Sequence, residues 1–264
     1  MKQIKVSVIT INYNNRDGLK KTILSVRNQS FENYEHIIID AASTDGSVQV
    51  VEEFQDKIAY WVSEKDDGIY YAQNKGIRAA KGEFCLFLNS GDRLASETVL
   101  LDLFKRNFDE DLIYGDMFLE LKDGKLLLRR QPKRMTLSHL LLDTIWHPAC
   151  LIKRELFDRF GMYDTAYKMV ADYEFWLRIY KTNQIKTKYL PVAFSIFNLD
   201  GLSSLPENQI RLNRERETAQ SKYFSATELF FFRDFPGVFK RLNIFLRSVL
   251  RGIINLFPAS NRFH

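Results

Sequence analysis

HIIIDAASTDGS at residues 36–47 and FCLFLNSGD at residues 84–92 are apolar runs that each stop abruptly in a turn carrying acids. Val6 to Ile11, His36 to Ile39 and Phe84 to Leu88 are short and β-branched or aromatic, too uniformly apolar to alternate as half-exposed strands, and helix-length segments separate them. That is the pattern of βαβ units and an open sheet. Ligands of such sheets bind in the crevice beyond the carboxyl ends of the strands, so Asn12-Tyr13-Asn14, Asp40 to Gly46 and Asn89 to Asp92 are expected to meet at one edge.

Between the strands, Leu19, Ile23, Leu24 and Val26 give the segment from about Arg16 to Gln29 an apolar helical face, and Ser30-Phe31-Glu32-Asn33 breaks it. A second helix is expected to start near Thr44, where capping side chains crowd Ser43 to Ser47, and capping is the plain structural reading of Asp40 and Asp45. A third is expected over Ile69 to Lys81, with Gly82 as a left-handed cap before the Phe84 strand.

The 264 residues, 45% hydrophobic and 14% aromatic, suffice for the core of one large domain, or one domain with an appendage, and argue against disorder. Cys85 lies inside an apolar strand, which favours a buried thiol in a reducing compartment over a disulfide or metal site, and no Cys/His spacing suggests structural zinc. Met1-Lys2-Gln3 leads almost directly into the first strand without a signal-peptide core or a long spanning segment, so a cytoplasmic location is expected. The net charge is +5, with basic residues gathered at Lys125 to Arg134 and again from Arg233 to Arg262. Anionic partners are expected there, but not nucleic acid. No G-x-G-x-x-G follows a predicted strand and no G-x-G-T-R-type loop follows the first, which counts against a dinucleotide oxidoreductase and a sugar nucleotidyltransferase.

VSVITINYNN, IIIDAASTDGS, DGIYYAQNKGIRAAKGE, FLNSGD and ADYEFWLR occur in the order found in family 2 glycosyltransferases of the GT-A fold, and over roughly residues 4–204 the chain resembles that family. The GIYYAQNKGI and FLNSGD segments look like the branch that builds bacterial surface polysaccharides such as colanic acid. The resemblance implies an α/β fold, a Rossmann-like mixed sheet flanked by helices. It also implies transfer of a sugar from a nucleotide donor, with inversion, to a glycan acceptor; a UDP-linked donor is expected ahead of a GDP-linked one. Asp40 matches the first Asp of the family's D-D-G-S turn, where a carboxylate can accept the imide N–H of uracil or the N1–H of guanine. Ala41-Ala42 replace the Asp-Gly that follows. On the donor side the resemblance also places Thr10, Asn12, Tyr13, Ser43, Asp67, Lys75, Asn89 and Ser90. Gln73 stands where many relatives carry Arg, so its charge must come from elsewhere, with Lys75 and Arg93 as the candidates.

A diphosphate leaving group calls for a divalent cation, manganese or magnesium, which the family holds with a D-x-D motif. Here Asn89-Ser90-Gly91-Asp92 takes that place and Asp92 is its single carboxylate, enough for a hard cation that draws other oxygens from phosphate and water. The same four residues also suit a plain turn. For the general base, Asp172 matches the Asp of the family's E-D pair, with Ala171 in place of the Glu, and Glu174 is the reserve. Both acids also suit the first turn of a helix. The resemblance puts His147 and Trp146 on the phosphate or acceptor side, while Trp176 reads as core.

After Asn198 to Ser204 the chain changes character, dividing into a catalytic domain at 1–204 and a helical, basic segment at 205–264. In Val238 to Leu256, Leu242, Leu246, Val249, Ile253 and Leu256 form one stripe opposite Lys240, Arg247 and Arg251. Such a helix can pack on its own domain or a second subunit, but its basic face favours an anionic membrane surface. Peripheral attachment at the inner face of the cell membrane would suit a lipid-linked saccharide acceptor, and Phe230-Phe231-Phe232 would equally serve a homo-oligomer. A noncatalytic nucleotide-binding scaffold is the alternative, favoured by the lost D-x-D carboxylate.

Overall fold

The structure is a computed structural model that describes residues 3–199 and 206–234. β1 (Val6–Asn12) is buried at every position and β2 (Tyr34–Asp40) at all but its first, as strands covered on both faces must be. α1 (Arg16–Arg27) crosses between them with Leu19, Ile23 and Val26 buried. α2 (Ser47–Glu53), β3 (Tyr60–Ser63), α3 (Ile69–Ala79) and β4 (Phe84–Phe87) complete four parallel strands in the order β3-β2-β1-β4. Asn12 lies opposite Asp40, and Asp40 opposite Ser63, so three strand ends reach one edge together.

The second half adds β5 (Arg93–Leu94), α4 (Val99–Leu103), β6 (Leu112–Glu120), β7 (Leu126–Arg129), α5 (Leu137–Leu142), β8 (Cys150–Lys153), α6 (Glu155–Phe160), α7 (Ala171–Lys181) and β9 (Thr187–Asn198). The sheet continues β4-β8-β6-β9-β5, with β8 antiparallel to both neighbours, β6 and β9 parallel, and β7 paired to β6. This is the expected mixed α/β sheet. At Gly115, where the β6–β9 register shifts, a Cβ would lie 2.4 Å from Phe194 Cε1 and 2.6 Å from the Val192 oxygen. Cys85 and Cys150 are buried free thiols, and Trp176 is fully buried with its indole N–H donating to the Ile145 oxygen at 3.2 Å.

Two expected helix ends differ. α2 starts at Ser47 behind Gly46 at φ 93°, rather than near Thr44. Asp45 precedes it and accepts the backbone N–H groups of Ser47 (3.0 Å) and Arg16 (2.7 Å), so one carboxylate ties the starts of α2 and α1 together. α3 ends at Ala79, with Ala80 already extended, and Gly82 is not left-handed. Glycine is needed at 82 for another reason: a Cβ would lie 2.5 Å from the Ser7 nitrogen, so the backbone passes too close to β1 for any side chain.

α8 (Gln209–Tyr223) and α9 (Ala226–Leu229) follow, the latter opened by a Ser225–Glu228 capping box. α8 lies on α7, and Ala219, Phe224 and Leu229 join the main core. The Gln220 amide donates to the Leu141 oxygen and to the Tyr173 hydroxyl. Through these contacts α8 and α9 pack on α5 and α7. The Val238 to Leu256 stripe lies outside the described residues. No helix among the described residues is long and apolar enough to cross a membrane.

Candidate active site

A cavity of about 380 Å³ opens beyond the ends of β1 and β4. One wall is Asn15, Asn89, Ser90 and Asp92, and the others come from α3 (Ile69, Tyr70, Gln73), the loop before β8 (Thr144, Trp146, His147), the start of α7 (Val170, Asp172, Tyr173) and α8 (Leu212, Arg216).

The Asn89 to Asp92 turn is fastened to α1. The Asn15 side chain caps that helix by accepting from Gly18 N and donates to the Ser90 oxygen at 2.9 Å. Thr22 Oγ1 donates to the Asp92 oxygen (2.7 Å) and accepts from Gly91 N (3.0 Å). Asp92 is 4% exposed, and its Oδ1 accepts from Asn198 N at 3.0 Å. Burial pushes its carboxyl up to about 7, against the pull of the Asn198 and Asn89 N–H groups. Among the described residues no three His, Cys, Asp or Glu side chains converge as a metal cluster. The donor set thus fits a hard cation that takes one protein carboxylate and most of its oxygens from a diphosphate and water.

Asp40 is not aimed at the cavity. It is fully buried and accepts four hydrogen bonds, from Asn12 Nδ2 (2.7 Å), Ser43 Oγ (2.6 Å), Ser43 N (2.9 Å) and Ser63 Oγ (2.6 Å). These satisfy its oxygens within the protein, so instead of presenting a free acceptor to a base it knots the ends of β1, β2 and β3. Thr10 is also internal, its Oγ1 3.0 Å from His36 Nε2, and burial lowers His36 to about 3. Tyr13, 67% exposed, is the outward group of the first strand's turn, and Asn12 keeps a buried Oδ1 with no partner.

Lys75 is paired with Glu64 at 2.8 Å and Arg93 with Glu120 at 2.9 Å, and neither lines the cavity, so neither supplies the charge that an Arg at position 73 would bring. Gln73 itself does line it, one turn along α3 from Tyr70, 1% exposed and with Oε1 unpartnered. Asp67 is exposed on the α3 approach, where its backbone oxygen accepts from Lys168 Nζ at 3.3 Å.

The two candidate bases separate cleanly. Asp172, half-buried in the first turn of α7, lines the cavity and its Oδ1 accepts the Tyr70 hydroxyl at 2.7 Å. Burial and the Asp172 charge hold the Tyr70 hydroxyl well above its usual range, so it stays protonated as the donor. Glu174, two residues on, points the other way: fully buried, bonded to Arg178 (2.9 Å), Lys222 (3.2 Å) and the Tyr223 hydroxyl, it holds α8 on α7. His147 stacks on Phe87 with centroids 4.3 Å apart and shares a 2.8 Å hydrogen bond with the Tyr163 hydroxyl. Burial outweighs the nearby Asp172 charge and lowers it to about 4, so it is a neutral wall group beside Trp146. Tyr70, Lys168 and Arg216 are cavity residues that sequence reading misses. Tyr70 sat inside a motif with nothing to separate it from Tyr71, and Arg216 lies in a polar helix of featureless charge.

Compared with known proteins, the model of Glycosyl transferase family 2 matches residues 7–161. An uncharacterized glycosyltransferase of Mycobacterium tuberculosis is 34% identical over 187 residues, 66% of this chain and 68% of that protein. A PGL/p-HBAD biosynthesis glycosyltransferase of Mycobacterium bovis is 27% identical over 188 residues, 68% of this chain and 72% of that one. Among solved structures, S. aureus TarS 1-349 in complex with UDP-GlcNAc has a TM-score of 0.63 at 19% identity, covering 88% of this chain and 74% of that one. The mannosyltransferase PcManGT from Pyrobaculum calidifontis in complex with GDP-Man and Mn2+ has a TM-score of 0.56 at 18% identity, covering 81% and 60%. At those identities the two structures share the fold.

Proposed function

Because the chain belongs to glycosyl transferase family 2 and is a glycosyltransferase, we propose that it moves a sugar from a UDP-linked donor to a lipid-linked glycan acceptor, by direct displacement with inversion. The observation that carries this reading is that one cavity is lined both by the Asn89 to Asp92 turn and by Asp172, steadied by Tyr70. In-line displacement needs a base on the face opposite the departing diphosphate. Asp172 takes the acceptor proton, and the Tyr70 hydroxyl fixes one carboxylate oxygen so that the other faces the acceptor. Asp92, Asn89 and Ser90 form the diphosphate end, where Asp92 would hold a divalent cation that would neutralise the leaving group. Asp40 shapes the base pocket by fixing Asn12 and Ser43, and Tyr13 supplies an exposed ring beside it.

The solved TarS complex with UDP-GlcNAc supports a UDP donor, and the PcManGT complex with Mn2+ supports a cation. A soluble donor and a bilayer-bound acceptor would meet at the inner face of the cell membrane, a reading supported by the basic residues from Arg233 to Arg262.

Calorimetric titration with UDP and GDP, each with and without manganese, tests the donor. Metal-dependent binding of UDP is expected, and failure of both nucleotides to bind overturns the nucleotide-sugar reading. Asp172→Asn should keep UDP binding and lower turnover by about 10²–10⁴-fold, the range for loss of a general base. Wild-type turnover in that variant removes Asp172 from the role.

A further inference from the structure

The cavity contains two cations that the reaction above leaves unused. Lys168 stands four residues before Asp172, its Nζ 3.3 Å from the Asp67 backbone oxygen and 5.3 Å from the centre of the Tyr71 ring. Arg216 reaches in from α8, its Nη2 2.6 Å from the Asp143 backbone oxygen and its guanidinium 4.4 Å from the centre of the Tyr173 ring, next in sequence to Asp172. Among the described residues no carboxylate forms an ion pair with either. Glu215, beside Arg216 in sequence, is engaged elsewhere: it pairs with Arg211 at 3.1 Å and accepts the backbone N–H groups of Lys168 and Met169.

Both cations therefore line the same cavity as Asp172 and the Asn89 to Asp92 turn, each held by a backbone oxygen and an aromatic ring instead of a carboxylate. A neutral sugar hydroxyl can accept a hydrogen bond from either, but it brings no negative charge to match theirs. We propose that the acceptor carries a phosphate or diphosphate group and that Lys168 and Arg216 bind it, placing the acceptor hydroxyl at Asp172. A guanidinium offers a planar fork matched to two phosphate oxygens, and an ammonium adds a point charge, so together they suit a group of two negative charges better than a single carboxylate. This rests on the glycosyltransferase reading, in which the donor diphosphate lies at the Asn89 to Asp92 turn.

The test is calorimetry on the full chain saturated with UDP and manganese, so that the donor site is filled, titrated with inorganic pyrophosphate and in parallel with glucuronate. Pyrophosphate should bind and glucuronate should bind more weakly. Lys168→Gln and Arg216→Gln should each weaken pyrophosphate by about ten-fold or more, the usual effect of losing a charged hydrogen bond. Arg216→Lys should recover part of that loss, and UDP affinity should be unchanged throughout. Lys168 is exposed and holds no core contact, so its variant stays informative if Arg216→Gln unfolds. If UDP itself fails to bind the wild type, the donor reading has failed. If UDP binds but pyrophosphate does not, or pyrophosphate binding survives both substitutions, or glucuronate binds more tightly, the phosphate site is overturned. Equal weakening of UDP in the variants would assign the cations to the donor and overturn it as well.

Discussion

At Ala42 the backbone is left-handed, φ 56°, in the turn that Asp40 knots together. A Cβ in that region costs about 1–2 kcal/mol, whereas glycine gives back about 0.4–1 kcal/mol through the freer unfolded chain. The strain is the larger effect, so Ala42→Gly should raise stability by about 0.5–1 kcal/mol, read from the urea midpoint. His36 gives a pH prediction. Its folded-state pKa, near 3, lies below its ordinary value of 6.5 because the ring is buried neutral beside Thr10. The unfolded chain takes up the proton first, so this contribution is complete above pH 6.5 and is lost as pH falls toward 3. From pH 6.5 to 4.5 the loss should be roughly 2–3 kcal/mol, and His36→Gln should flatten that slope in urea titrations. The sequence showed an acid at the end of β2. It did not show the direction of that acid, because Asn12, Ser43 and Ser63 are distant in the chain and become its donors only when three strands align.

At the scale of elements, Gly82 joins α3 to β4 within van der Waals distance of β1, and the extended Ala80 ends the helix. Gly82→Ala would press a methyl against the Ser7 backbone, which cannot move without breaking the β1 ladder. The expected cost is about 1–3 kcal/mol, the range for overpacking, with a lower urea midpoint and unchanged m-value. A cost near that of an exposed glycine-to-alanine change would mean the strand yields. The apolar periodicity of α1 and α3 and the uniform burial of β1, β2 and β4 were readable because burying one face is a local property of spacing. Which acid of α7 meets the cavity was not. Asp172 and Glu174 are both first-turn acids in the sequence, and the packing of α3 on one side and α8 on the other sends the first to Tyr70 and the second to Arg178, Lys222 and Tyr223.

For the whole molecule, α8 and α9 decide what can be removed. Ending the chain at residue 204 would strip Phe224 and Leu229 from the core, where each large buried side chain is worth about 1.5–3 kcal/mol, and should leave a protein that unfolds at much lower urea or does not fold. Ending it at residue 234 keeps those contacts. That variant should still bind UDP but no longer sediment with anionic vesicles; vesicle binding equal to the full chain would dismiss the membrane role of residues 235–264. The sequence by itself determined the sheet class, the edge where the cavity opens and the family, since apolar runs, turn residues and ordered motifs are written along the chain. Only the tertiary structure decided that Asp40 faces inward, that Asp172 and not Glu174 reaches the cavity, and that Lys168 and Arg216 stand around it. Those outcomes depend on which distant segments supply hydrogen bonds and charge in three dimensions, and spacing along the chain carries no record of that.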